Sequence, residues 1–389
     1  MCSLKNSTRD LLFVRNAFRE YYFKYNGLVE IPSRINEREF GFMSFQAGMM
    51  RHLTFSDIRQ IHATLLRDTP SDFYCSNAFY ECPSNPMQEK GWKGADLIFD
   101  IDAKDLGLPC ELSHRYQICA TCGEMLQSAI APCPICKNST VRIESIPCNT
   151  CFLNLRKEIN RLIAILTDEI GIEYNSISVY FSGNSGFHLY VNDESFHNLD
   201  SRARSDLVGY VLGNGIGPEV IGVRRGVNNK VRIKFPKTGF RYGWTMRLGR
   251  KLRINQASSL KLTKLINNLG GFDNFGKYIL GYAKEIGIKI DPQVTIDVHR
   301  IFRHAGTLNG KSGLSKLRCA NINQFEPLND ACLLNDTEVN VQVIPSNLKI
   351  RLKGRTFTIA QKQVKLPTYA AVYLICKGLA TTLIPELAD

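Results

Sequence analysis

Seven cysteines and one histidine crowd into residues 110–151: Cys110, His114, Cys119, Cys122, Cys133, Cys136, Cys148 and Cys151. Six of the cysteines form C-x2-C knuckles, a spacing that aims two thiolates at one ion. Eight soft ligands make two tetrahedral zinc sites with none left over, so the spacing predicts structural zinc. It leaves the pairing open. Cys119, Cys122, Cys133 and Cys136 can form a ribbon nested inside a second site of Cys110, His114, Cys148 and Cys151. A sequential order, with Cys110, His114, Cys119 and Cys122 first, is equally allowed by stereochemistry. The other cysteines, Cys2, Cys75, Cys82, Cys319, Cys332 and Cys376, are scattered and read as small core residues. The first residues, Met-Cys-Ser-Leu-Lys-Asn, lack the apolar core of a secretory signal, and no apolar run suffices to span a bilayer. The expected compartment is a reducing cytoplasm, where paired cysteines mean metal more often than disulfide.

The chain has 389 residues, 44% hydrophobic and 22% charged, enough for a full core in two or three structural units. Its net charge of +13 is concentrated. Val220 to Phe272 contains no Asp or Glu but carries Arg224, Arg225, Lys230, Arg232, Lys234, Lys237, Arg241, Arg247, Arg250, Lys251, Arg253, Lys261 and Lys264. Those thirteen account for the whole excess, since 49 less 13 leaves 36 basic residues against 36 acidic ones. A field of one sign suits a polyanion such as nucleic acid or a triphosphate.

The apolar run Leu97-Ile98-Phe99 ends in Asp100-Ile101-Asp102. In a strand, Asp100 and Asp102 project from one face while Leu97, Phe99 and Ile101 turn to the core. Adjacent carboxylates repel unless a cation lies between them, and a pair of divalent metals is the common device for phosphoryl transfer. A D-x-D alone is weak, since a solvated pair at a strand end has the same pattern.

Periodicity predicts helices over Arg9 to Tyr25, with Leu11, Leu12, Val14, Phe18, Tyr21 and Tyr22 on the apolar stripe, and over Phe152 to Ile170, stopped by Gly171. Strands are expected at Arg38 to Phe42, Leu97 to Ile101, Ile177 to Phe181, Phe187 to Val191, near Ile288, and from Val341 to Ile350. Ser182-Gly183-Asn184-Ser185-Gly186 joins two of these in a tight hairpin turn. Asn198 to about Tyr282 reads as largely helical. The rhythm is α/β (α+β), a mixed sheet with a helical insertion.

With Asp100-Ile101-Asp102, a nearby zinc loop and the hairpin Ser182-Gly183-x-x-Gly186-x-His188 in hand, the chain resembles the small catalytic subunit of archaeal and eukaryotic DNA primase. The resemblance runs from Arg38-Glu39-Phe40-Gly41-Phe42 to Asn309-Gly310-Lys311-Ser312-Gly313. It implies a primase-type catalytic core over 1–109, 152–197 and 283–389, a zinc-binding insertion over 110–151, and a mostly helical, basic subdomain over 198–282. It implies the nested zinc pairing, with Cys148 and Cys151 opening the long helix. Asp100, Asp102 and a third aspartate are implied as ligands of two Mg2+ or Mn2+ ions. Counting back from Asn309 and Lys311 favours Asp291 over Asp297 for that third place, leaving Asp297 in the following helix, paired with Arg300 or Arg303. Ser182, Gly183, His188, Arg303, Asn309 and Lys311 are implied as nucleotide contacts, with Glu39 and Arg51 near the initiating nucleotide unless they are a solvated strand pair. Asn184 and Ser185 stand where primases carry arginines, and Asn309 where they carry histidine, so phosphate contacts are lost. Arg300, Arg303 and Lys311 are the residues available to compensate.

The implied activity is template-directed synthesis of short primers from nucleoside triphosphates on single-stranded DNA, in a heterodimer with a large regulatory subunit and without a membrane. A primase-polymerase or repair polymerase of the same fold shares the metal triad. A zinc-ribbon nucleic-acid-binding protein explains the cysteines and the basic stretch, but not the aspartates, hairpin histidine and downstream basic motif in family order.

Overall fold

The computed structural model describes residues 8–122, 124–126, 132–226, 230–345 and 348–383. The chain divides into two compact units: Met1–Arg156 with Ser178–Asn198 and Val298–Asp389, and Lys157–Ile177 with Leu199–Asp297. No helix among the described residues is long and apolar enough to cross a membrane.

The first unit is built on two four-stranded sheets. One runs in the order Ile301–Arg303, Asp72–Ser76, Phe40–Ser44, Gly48–Leu53. The other runs Leu317–Arg318, Ile177–Phe181, Gly186–Val191, Leu97–Asp102. Aromatic rings join them: Phe302 of the first sheet lies 5.5 Å from His188 and 6.3 Å from Tyr190 of the second. The helix Thr8–Lys24 buries Val14, Ala17, Phe18, Tyr21 and Tyr22, while Leu12, expected on its apolar stripe, is 47% exposed. Tyr21 holds the fold over a long span, donating its hydroxyl to the Gly306 carbonyl at 2.9 Å. The helix Thr368–Cys376 is buried along its whole length. It contacts the three-stranded sheet of Gln363–Pro367, Glu338–Val343 and Ala380–Thr382. The strand signals from Val341 to Ile350 belong to two strands, Glu338–Val343 and Leu348–Leu352, in different sheets.

Arg115–Cys119 and Val141–Ser145 form an antiparallel ladder between the two cysteine groups. Four of the scattered cysteines, Cys75, Cys319, Cys332 and Cys376, are buried as expected of core residues. Cys82 is exposed, on the bend after Tyr80. Cys2 lies outside the described residues.

The second unit packs helices Ser201–Leu212, Gly243–Leu252, Ser259–Asn268 and Phe272–Ile286 around Trp244, Leu248, Leu262, Ile266, Phe275 and Ile279. Its basic stretch is not wholly helical. Val223–Arg225 and Val231–Ile233 pair as an antiparallel hairpin whose strands are too short to register as an alternating pattern. The stretch Ile288 to Ile290, expected as a strand, joins no sheet; the Ile288 amide bonds the Val211 carbonyl at 3.1 Å. The long helix begins at Asn149, earlier than its apolar pattern, and runs to Ile165 before a wider turn over Leu166–Ile170. Gly171 ends it in the left-handed conformation.

Candidate active site and metal centres

Strand pairing assembles the acidic centre. Leu97–Asp102 lies antiparallel to Gly186–Val191, with Asp100 opposite His188 and Asp102 opposite Gly186. Period-two alternation puts Asp100, Asp102 and His188 on one face, and the buried side chains of Phe99, Ile101 and Phe187 on the other. Nε2 of His188 lies 3.6 Å from Oδ1 of Asp100. Asp102 accepts from the Ser185 hydroxyl at 3.2 Å and lies 3.6 Å from the Lys104 ammonium. Gly186 is required by this approach: a Cβ there would collide with the Asp102 carboxylate and the Ile101 carbonyl. Gly183 turns the hairpin at φ +86°, a conformation that other residues adopt at a cost.

The downstream motif closes on the hairpin. The Ser312 hydroxyl donates to the Gly183 carbonyl, and Nδ2 of Asn309 donates to the Ser182 carbonyl at 3.4 Å. Oδ1 of Asn309 accepts the Lys311 amide at 2.9 Å, so the Asn309 amide bridges the two loops from a buried position. The Lys311 side chain is exposed. Arg303 is ion-paired with Asp72, and its Nη1 also donates to the Leu308 carbonyl at 2.9 Å. Burial pushes the Asp72 carboxyl up, but the Arg303 guanidinium and the Gly310 N–H outweigh it and hold the group below the usual carboxylate range. The carboxylate partner of Arg303 is thus Asp72.

Two lysines that no motif singled out stand here. Lys316, 1% exposed, lies 3.3 Å from Nδ1 of His188 and donates to the Tyr190 hydroxyl and the Arg303 carbonyl, each at 2.8 Å. Lys377, also buried, donates to Oδ1 of Asn184 at 2.6 Å, bringing a positive charge to a hairpin whose arginines are absent. Burial lowers both lysines, Lys316 to about 7. A cavity of about 410 Å³ opens between the sheets, with Arg38, Asp96, Tyr190, Arg303 and Lys316 in its lining, within the size range of small-ligand sites.

Glu39 is fully buried and therefore not half of a solvated pair. Arg51 binds it through two nitrogens, at 2.8 and 3.1 Å, and Lys90 lies 3.2 Å away. Burial raises the Glu39 carboxyl, yet Arg51 and Lys90 hold it below the ordinary value.

In the second unit, Asp291 is the N-cap of the short helix Pro292–Ile296, accepting the Gln293 amide at 3.0 Å. Asp297 is the residue that ends this helix rather than one within it. Arg224, Arg241, Arg250 and Lys264 of the basic stretch lie at the surface, whereas Arg247 is drawn inward by Glu169.

The thiols gather in two quartets: Cys110, His114, Cys148 and Cys151, and Cys119, Cys122, Cys133 and Cys136, with the ligand atoms of each quartet all within 4.8 Å of one another. This is the nested grouping. The strand Arg115–Cys119 runs from just after His114 of one quartet to Cys119 of the other. Sulfur–sulfur distances of 3.4 to 3.8 Å match the roughly 3.8 Å edge of a tetrahedron with zinc–sulfur bonds of about 2.3 Å. Nδ1 of His114 meets the Ser145 hydroxyl at 3.1 Å, leaving Nε2 to face Cys151 at 3.3 Å. The donor sets therefore fit zinc. The Asp100–Asp102 pair, all oxygen and partly exposed, fits a hard cation.

A profile of the DNA primase small subunit matches residues 143–319. Similarity to named proteins covers nearly the whole chain. The chain is 40% identical to the DNA primase small subunit PriS of Nitrosopumilus maritimus, over 96% of this chain and 98% of that one. It is 39% identical to that of Cenarchaeum symbiosum, over 96% and 99%. For Archaeoglobus fulgidus the identity is 33%, over 95% and 98%. With Asp100 set against His188 and similarity at this level from end to end, the chain belongs to the DNA primase small subunit family.

Proposed function

We propose that this DNA primase, a nucleotidyltransferase, synthesises short primers by joining a 3′-hydroxyl to the α-phosphate of an incoming nucleoside triphosphate on a single-stranded DNA template. The cross-strand register that sets Asp100 against His188 and Asp102 against Gly186 carries this reading, because it brings a carboxylate pair beside a glycine-bearing turn and a neutral imidazole. Asp100 and Asp102 would hold two divalent cations, Mg2+ or Mn2+, with Asp291 as the third carboxylate. Such ions supply charge neutralisation and a more acidic attacking hydroxyl.

The chain's own groups do the rest. The Ser182 amide closes the hairpin on the Gly186 carbonyl at 2.9 Å, so its hydroxyl and the N–H groups of the turn that follows would face the phosphate oxygens. His188 is held neutral, its pKa pushed well below the ordinary value by burial and then by Lys316, Arg303 and Arg300. A neutral ring donates one N–H without adding charge. Lys311, exposed beside the turn, would counter the triphosphate from one edge, with Arg303, oriented by its ion pair with Asp72, as a further donor. Lys377 supplies charge near Asn184. The two zinc quartets are structural, since closed thiolate-rich sites leave no open position for a reactant.

The relatives' name supports a heterodimer with a large regulatory subunit. The reducing environment that free thiols need supports a cytoplasmic location. The test is de novo dinucleotide synthesis on a bare single-stranded template. Wild-type protein makes product and the Asp100→Ala, Asp102→Ala double variant does not. Persistence of product at the wild-type rate in the double variant would remove the catalytic assignment. A requirement for a pre-existing 3′ end would instead favour a repair polymerase of the same fold.

A further inference from the structure

Within the second unit, a cavity of about 430 Å³ lies between the 161–169 part of the long helix and the helix Gly243–Leu252. Its floor is polar and partly paired. Glu169 accepts the Tyr210 hydroxyl at 2.5 Å and Nη2 of Arg247 at 2.8 Å, and the Arg247 guanidinium lies 4.0 Å from the Trp244 ring centroid. Nε and Nη1 of Arg247 are buried with no hydrogen-bond partner, so the floor keeps unmatched donors. Gly243, at φ +53°, lets this cluster come close: a Cβ there would sit 3.0 Å from the Tyr210 hydroxyl.

The rim differs. Arg241, Tyr242 and Arg250 are all exposed, Tyr242 by 68%. They sit in the stretch from Val220 to Phe272 that has no acidic residue. The Tyr242 backbone is fixed, its carbonyl accepting the Met246 amide at 3.1 Å at the start of the helix, so the ring is presented from a rigid base. Met246, Ile165 and Ile288 give the cavity an apolar wall. A flat ring on a rigid base, an apolar slot and guanidiniums spread along the edge suit a base with phosphates on either side. A compact anion would call for charges that converge.

We propose that this cleft is a subsite for single-stranded nucleic acid, taking one nucleotide with its base against Tyr242 and its flanking phosphates on Arg241 and Arg250. The inference rests on the template-binding part of the reading above, but it requires no metal and no chemistry. It can therefore be tested apart from the acidic centre.

The test is fluorescence anisotropy of a labelled oligodeoxythymidine with the full chain, without divalent cation or nucleotide, at several salt concentrations. Tyr242→Ala is expected to weaken binding about 5- to 150-fold, the range for losing one stacked base, and Tyr242→Trp to keep it. Arg241→Glu with Arg250→Glu is expected to lower the salt slope by about 1.4, two single-strand phosphate contacts. The control is Lys237→Glu with Lys264→Glu, equal in charge and placed elsewhere in the basic stretch. Wild-type affinity in Tyr242→Ala would overturn the proposal. So would equal losses in the two charge-reversed proteins, which would mean a diffuse field and no subsite. Competition by a free nucleoside triphosphate that is abolished in Tyr242→Ala would also overturn it, assigning the cleft to mononucleotides. Far-ultraviolet circular dichroism separates each outcome from misfolding.

Discussion

The Lys316 ammonium lies 3.3 Å from Nδ1 of His188, and this contact sets which ring nitrogen faces Asp100. Lys316 has three donors, and the Tyr190 hydroxyl and the Arg303 carbonyl take two of them. The third points at Nδ1, which therefore accepts, and the ring proton is assigned to Nε2, 3.6 Å from the Asp100 carboxylate. A lysine buried this deeply, with its three donors directed at three acceptors, is a built part of the site rather than a solvated cation.

Replacing Lys316 by Met removes the donors while keeping the length of the side chain. The His188 ring then loses its tautomer control. The expected result is a fall in kcat/KM for nucleotide of about 10- to 100-fold, the usual scale for orienting groups behind a reactive one. Thermal stability should change little, because exchanging a buried charge for a packed apolar group is often neutral. Since burial lowers Lys316 to about 7, the three-donor arrangement belongs to the low side of that value. Wild-type kcat/KM should decline as pH rises through it, and Lys316→Met should lack that limb. Steady-state kinetics between pH 6 and 9 checks both.

Asp100→Asn and Asp102→Asn keep size and hydrogen-bonding capacity while removing the charge that holds divalent cations. Each is expected to lower primer synthesis by at least about a thousandfold, roughly 4 kcal/mol of transition-state stabilisation. Mn2+ titration followed by electron paramagnetic resonance should show loss of the binding seen in wild type. Zinc content should be unchanged, since the quartets share no residue with the acidic pair.

Metal analysis should give two zinc ions per chain. Cys119→Ser with Cys136→Ser should leave one, and so should Cys110→Ser with Cys148→Ser. The second pair is expected to lower the melting temperature more. Cys148 and Cys151 anchor the start of the helix Asn149–Ile165, where the Phe152 amide bonds the Cys148 carbonyl at 3.2 Å, whereas the other quartet sits at the far end of a two-stranded ladder. A count of one zinc in the wild-type chain would show that half the cluster is idle.

What can be read from the residues follows their physics. Asp100 and Asp102 are legible because period two fixes the face of a strand, and the paired cysteines because a tetrahedral ion demands their spacing. His188 is legible through the glycines beside it. Lys316 and Lys377 are not, since a single lysine in a loop or at a helix end carries no period, and their importance comes from burial by distant elements. The Asp72–Arg303 pair joins residues 231 positions apart and leaves no local mark. The hairpin at Val223–Arg225 and Val231–Ile233 is hidden because three-residue strands dense in arginine offer too few alternations to tell from helix. Cys82 departs from the core expectation because cysteine is usually buried, and only the bend after Tyr80 turns it outward.

His304 gives a pH dependence of stability whose sign is fixed by its surroundings. The ring is 5% exposed, packed near Phe40 and Phe73, with Nε2 2.7 Å from the Glu30 carbonyl. Burial lowers it from 6.5 to about 4, against a smaller opposing effect of the Glu30 bond. Between those values the unfolded chain takes up a proton that the folded chain refuses. Stability from this group is thus complete above about pH 6.5 and lost as pH falls toward 4. A difference of about 2.5 in pKa corresponds to about 3 kcal/mol. His304→Gln retains an amide donor for the Glu30 carbonyl but does not titrate. Urea unfolding followed by circular dichroism should show wild type losing stability from pH 7.5 to 4.5 faster than the variant, by up to that amount. Parallel curves would mean that the ring is already protonated in the fold, and that the Glu30 carbonyl stabilises a charge rather than a neutral N–H.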